Sequence, residues 1–214
     1  MKNVLSKVFA WMFLGLLVTF LTGYYISVNE YAAAKIFGGK MYIFVLLLEV
    51  VLALFLSARV DKLSPTVARI CFLLYSFVTG ITIGAIFITY ELTSVIYTLL
   101  VTSTLFGLCA VFGKFTKLDL TKIGTYLFIG LIGIILCSVI NIFIGSSRLE
   151  FLVSIGTIIV FSGFTAYDVQ RIGYMDGYME EDNLAIYGAL RLYLDFINLF
   201  LELLKYFGKI KNND

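Results

Sequence analysis

The stretch AIYGALRLYLDFINLFLELLKYF, residues 185–207, decides how the chain is read. It is about long enough to cross a bilayer, which takes roughly 20 apolar residues. It also carries Arg191, Asp195, Asn198, Glu202 and Lys205, in steps of four, three, four and three residues. On a helix that spacing places all five on one stripe. The other faces hold Leu, Ile, Phe and Tyr. At 1.5 Å per residue the stripe covers about 21 Å, most of a hydrocarbon core. A polar stripe of that length does not face lipid comfortably, so the rest of the chain is expected to cover it.

The composition agrees. Of 214 residues, 61% are hydrophobic and only 14% charged, with a mean hydropathy of +0.99. Soluble domains carry about 25% charged residues. The chain reads as one integral membrane domain over residues 1–214, with the lipid bilayer as its first partner. A net charge of +2 suggests no nucleic-acid partner. Histidine is absent, so any pH response must come from carboxylates. Cys71, Cys109 and Cys137 lie scattered in apolar runs without CxxC spacing. They read as buried small apolar residues, not as a disulfide framework or zinc site.

Working outward from the opening stretch, six more apolar runs appear. The first, residues 8–26, follows Lys2 and Lys7; it is long and lacks a small-x-small cleavage site, which favours a span over a signal peptide. A connector over 27–40 leads to the second run, 41–57, with Glu49 at its middle. The polar hairpin RVDKLSPT (59–66) follows, where Ser64 before Pro65 marks a helix start. The third run, 66–88, contains Gly80-x-x-x-Gly84, a spacing that lets helices approach closely and is read as packing within the bundle. The fourth and fifth cover 93–112 and 123–144. The sixth, 151–167, ends on Asp168, and a polar connector reaches Asn183.

Lys and Arg counts set the orientation. With seven spans, one side holds Lys2, Lys7, Arg59, Lys62, Arg69, Lys114, Lys117, Lys122 and Arg171, which is nine. The other holds Lys35, Lys40, Arg148, Lys205, Lys209 and Lys211, which is six. The N-terminus is thereby expected in the cytoplasm. The basic C-terminal tail conflicts with that, and a last segment that re-enters would remove the conflict.

A charged Asp at the centre of a membrane helix costs roughly 2.5–3.5 kcal/mol on insertion scales. Such a group needs a role, a partner or a neutral form. Two neighbouring buried carboxylates can titrate near neutral pH without any histidine. Asp195 is the sharpest candidate; its plain structural alternative is a local i,i+4 pair with Arg191. Asp168 reads either as an exposed helix-end charge or as a neighbour of Asp195. Glu49 is either a protonated acid bonded to another helix or a cation ligand. Glu202 and Lys205 read as snorkelling groups. Asn198 and Asn141 read as interhelical hydrogen-bonding groups. Arg59, past the second span, is free to pair with an acid across the bundle.

Three stretches carry a family resemblance: FTAYDVQR (164–171), LYLDFINLF (192–200) and YSFVTGIT (75–82). Together they resemble the transmembrane Bax inhibitor motif family, across essentially the whole chain, and the Lys-, Asn- and Ile-rich composition looks bacterial. The resemblance implies an all-α membrane fold of seven transmembrane helices, six wrapped around a central C-terminal one. It implies a multi-pass protein of the cell (inner) membrane that acts as a pH-sensitive calcium leak. Asp168 and Asp195 match the family's proton-sharing gate. Arg59 matches a latch on the first aspartate, and Glu49 an acid of the ion path; Asn198 and Glu202 are further path candidates. Calcium is then a permeant ion held weakly at Asp168 and Asp195, with no tight metal site and no cofactor.

Other function classes predict different features. An intramembrane aspartyl protease also needs two carboxylates sharing a proton, but Asp195 follows Tyr193-Leu194 instead of the Gly-x-Gly of those enzymes, so no enzyme is expected. An interaction protein modulating a membrane protease or stress response would co-purify with a membrane protein partner. A proton-coupled transporter would show flux that depends on a proton gradient.

Overall fold

Uninterrupted apolar runs form helices here because lipid offers no partner for backbone N–H and C=O groups. The computed structural model describes residues 2–211. The side chains of Lys2, in the charge count, and Asp61, in the 59–66 hairpin, lie outside the described residues. The helices are α1 (Lys2–Val28), α2 (Glu30–Phe37), α3 (Met41–Arg59), α4 (Pro65–Thr89), α5 (Leu92–Phe115), α6 (Thr121–Ile144), α7 (Ser147–Met175) and α8 (Glu181–Phe207), with a single 3-10 turn at Val60–Lys62. Among the described residues, all these α-helices but α2 are long and apolar enough to cross a membrane, seven in total. The 27–40 connector therefore holds a short helix, started by Asn29, whose side-chain oxygen accepts the Ala32 N–H at 3.0 Å. Pro65 does open α4 at its first turn.

The helix ends show where local chemistry stops each run. Gly145 closes α6 in the left-handed conformation, φ 66°. Asn141 accepts the Ser146 N–H at 3.0 Å. This corrects its reading as an interhelical group: its side chain caps the α6–α7 turn by taking the Ser146 N–H. The three cysteines are free and half-buried, less enclosed than expected.

α8 is the most buried span. It packs on α1, α4, α5 and α7 and lightly on α3, whereas α6 packs on α7. α6 is the most apolar span, with mean hydropathy 2.8. Edge-to-face rings surround the back of α8, with Tyr193 5.8 Å from Phe72 and 5.7 Å from Tyr75, and Phe196 5.5 Å from Phe106. α4 meets α1 through Gly80, where a Cβ would stand 2.6 Å from Thr22 Cβ and 2.7 Å from the Thr19 carbonyl. The Gly80/Gly84 pair therefore serves packing inside the bundle.

The two ends of α8 are bonded at opposite ends of α4. At its start, Asp182 pairs with Arg69 at 2.6 Å, Lys7 reaches Glu181 at 3.0 Å, and Asn183 donates to the Leu63 carbonyl at 3.0 Å. Beyond its end, Glu91 N donates to Lys209 O (2.8 Å), Lys211 N to Thr89 O (2.9 Å), Lys209 N to Ser94 Oγ (3.0 Å) and Lys211 Nζ to Phe87 O (2.8 Å). α8 therefore runs the length of the bundle and does not re-enter, so the lysine and arginine split stays at nine to six. Those four bonds form a C-terminal strap. Lys209 and Lys211 are exposed, so the low end of about 0.5–1.5 kcal/mol per bond applies, about 2 kcal/mol together; truncation after Phe207 is expected to lower the melting temperature by roughly 5 °C, and an unchanged melt would show the strap contributes nothing.

Close helix approach also positions α7. A Cβ on Gly113 of α5 would overlap the Ala166 carbonyl of α7. Gly113→Ala must push the two helices apart and is expected to cost about 1–3 kcal/mol, as overpacking does. Thermal melts check this.

Candidate functional site

Asp168 lies within α7, not at its end. Nothing in VQRIGYM breaks the helix, Val169 and Ile172 are buried, and α7 stops only before Asp176 and Gly177, where φ is 92°. Asp168 is 3% exposed, so the reading as an exposed helix-end charge is corrected. Its Oδ2 lies 3.3 Å from Arg191 Nε of α8. Arg191 therefore makes its close ion pair with Asp168 across the helix pair, while its charge also acts on Asp195 along its own helix. A buried carboxylate without a counter-charge is costly, and Arg191 is the guanidinium within reach. The same guanidinium stacks on Tyr187, 5.8 Å from the ring centroid.

A cavity of about 280 Å³ opens beside this pair. Its walls are Phe128 and Leu131 of α6, Phe161 and Phe164 of α7, and Leu194 of α8; its polar members are Asp168, Arg191, Asp195 and Asn198. Asp195 is 5% exposed, and its Oδ2 has no hydrogen-bond partner. Asn198 donates to the Leu194 carbonyl at 2.8 Å, one turn back. It is bonded within α8, which corrects its reading as an interhelical group: its cavity side faces mostly apolar walls, leaving the backbone carbonyl as acceptor. Three of the five stripe residues thus meet Asp168 around one space. That space can hold a small ion or waters between two carboxylates and one guanidinium.

The remaining candidates lie elsewhere. Glu202 is one helical turn beyond Asn198, 2.8 Å from Lys205 Nζ, and does not line the cavity. Glu49, half-buried on α3, accepts from Thr82 Oγ1 of α4 at 2.9 Å. Arg59 is exposed at the end of α3, and Arg191 holds the place facing Asp168. Among the described residues no cluster of three or more Asp, Glu, Cys or His side chains converges as a metal site.

Tyr193 was not anticipated from sequence. It is fully buried, and its hydroxyl lies 2.6 Å from Thr19 Oγ1, which donates to the Ser76 carbonyl. Two residues before Asp195, it projects from the opposite face of α8. A threonine in a first span gives no sequence signal of that pairing.

Seven candidate spans among the described residues, a buried carboxylate on each of two packed helices, and a cavity that both carboxylates line define a polytopic helical membrane protein. The profile of the family described as "Inhibitor of apoptosis-promoting Bax1" matches residues 1–213, and the chain belongs to that family. An uncharacterized protein of Borreliella burgdorferi is 41% identical over 218 residues, 99% of this chain and 94% of the relative. The inner membrane protein YbhL of Escherichia coli is 39% identical over 215 residues, covering 97% and 92%. A Deinococcus radiodurans protein is 33% identical over 207 residues, covering 95% and 89%. With its seven spans, the chain is a multi-pass inner membrane protein.

Proposed function

We propose that the protein is a pH-sensitive cation leak, with calcium as permeant ion and Asp168 and Asp195 as its gate. The observation that carries this reading is the cavity that both buried carboxylates line, with Arg191 spent on Asp168 and an Asp195 oxygen left without a partner. A proton held by the two acids keeps the helices together. Its loss leaves two like charges and one guanidinium in low dielectric and shifts the population between closed and open forms. Calcium takes six to eight oxygens. Two carboxylates and an amide supply few, so the ion binds weakly, which suits conduction. Arg59 acts as a latch in this reading only if it reaches Asp168 in another conformation, after Arg191 lets go.

The purified protein in liposomes, with a calcium indicator inside, tests the proposal at mildly acidic and neutral pH. Flux above that of empty liposomes, changing with pH, is the expected result. Flux that needs a proton gradient would make the protein a transporter instead. Absent flux with a co-purifying membrane protein would favour an interaction role.

A further inference from the structure

At the bundle end that holds the N-terminus, α7 carries a second cavity that the ion gate does not use. Its volume is about 370 Å³, and its lining includes Thr121, Tyr167, Gln170, Arg171, Tyr174 and Tyr178. Arg171 Nη1 donates to the Tyr167 hydroxyl at 3.2 Å, and its guanidinium lies 5.9 Å from the same ring. Among the described residues it forms no ion pair with a carboxylate. Gln170 pins the α5–α6 connector there: its Nε2 donates to Leu118 O at 2.8 Å and its Oε1 accepts from Leu120 N at 2.9 Å. Lys117 of the connector, Lys114 at the end of α5 and Lys122 at the start of α6 lie at the same end of the bundle. Asp119, the acid of this connector, is turned to the Thr121 N–H, which it accepts at 2.9 Å. Bonds from Thr121 hold its carboxyl below the usual range, so it keeps its charge, and that cap is present at neutral pH and lost only as pH falls well into acid.

We propose that this cavity binds the phosphodiester head group of an anionic phospholipid, with Arg171 as its counter-ion. A guanidinium fork matches two phosphate oxygens. Tyr167, Tyr174, Tyr178 and Thr121 line the same space and carry hydroxyl donors, and among the described residues no carboxylate lines it. Tyr174 and Tyr178 are exposed, as interfacial tyrosines are. The neighbouring α6 surface, with Ile123 and Tyr126 exposed, is open to acyl chains. Basic pockets between spans at a cytoplasmic face are suited to such head groups. Arg171 stands one helical turn from Asp168, so a bound phosphate would draw its charge away from the gate. That coupling rests on the proposed ion leak; the binding does not.

The test is native mass spectrometry of the full chain in neutral detergent, with phosphatidylglycerol or phosphatidylcholine of the same acyl chains. Preferential retention of phosphatidylglycerol is expected, reduced about fivefold in Arg171→Gln, the effect of one basic side chain at an anionic surface. Inorganic phosphate should not displace the lipid. Tyr174→Phe, at an exposed position that tolerates change, should reduce retention by less. Equal retention of the two lipids, or undiminished phosphatidylglycerol on Arg171→Gln, overturns the proposal. Displacement by inorganic phosphate overturns the lipid assignment in favour of the free anion. If Arg171→Gln fails to fold, Arg171→Lys serves: intermediate retention supports the guanidinium fork, and wild-type retention rejects it. A separate liposome series, varying phosphatidylglycerol content, reads the coupling; retained lipid without any calcium flux would sink the leak and leave the lipid site standing.

Discussion

Asp195→Asn protein in liposomes is expected to leak calcium at a rate that no longer changes between mildly acidic and neutral pH. A gate worked by one proton changes its open-to-closed ratio by at most about tenfold per pH unit, so the wild-type response is measurable and its loss unambiguous. The charged groups around Asp195 are Asp168 on α7 and Arg191 on α8, with Arg171 one turn beyond Asp168. Asparagine keeps the shape and removes the titration. It also replaces a buried carboxylate, one of whose oxygens has no hydrogen-bond partner, by a neutral amide. Thermal stability should therefore hold or rise, since an unpaired buried charge is destabilising. A wild-type pH response in this variant would remove Asp195 from the gate, and a large drop in melting temperature would show that its role is structural.

Arg191→Gln carries the second large effect, on stability. It leaves Asp168, 3% exposed, without its counter-charge. Breaking a buried pair by removing one partner costs about 3–5 kcal/mol; with the Arg191 side chain 30% exposed, the lower end applies. A melting temperature lowered by roughly 10 °C follows for a chain of this size. Two rescues identify the cause. Lowering the pH protonates Asp168 and removes the unpaired charge, so the deficit should shrink in acid and grow as pH rises. Asp168→Asn in the same protein should recover most of the loss at neutral pH. A deficit indifferent to both would mean that Arg191 acts through its packing on Tyr187 instead.

Much of this protein is legible in its residues. Apolar run lengths mark all seven spans, because a bilayer demands about 20 apolar residues of each and forbids unpaired backbone between. The helix ends were less legible. α7 runs to Met175 because its last turns mix polar residues with buried Val169 and Ile172, a pattern that hydropathy alone ends at Asp168. The short α2 is similarly hidden, being too polar for a span and set by one Asn29 cap.

The opening stripe shows the same division. By itself the sequence determined that Arg191, Asp195, Asn198, Glu202 and Lys205 share one face of a helix, since that follows from 3.6 residues per turn. Only the tertiary structure decided which of them meet Asp168. Arg191 could bond along its own helix or across to α7, and both choices satisfy the same spacing. Burial alone does not choose, since Asp168 and Asp195 are both buried; the packing of α7 on α8 brings Asp168 to 3.3 Å from Arg191 and leaves an Asp195 oxygen without a partner.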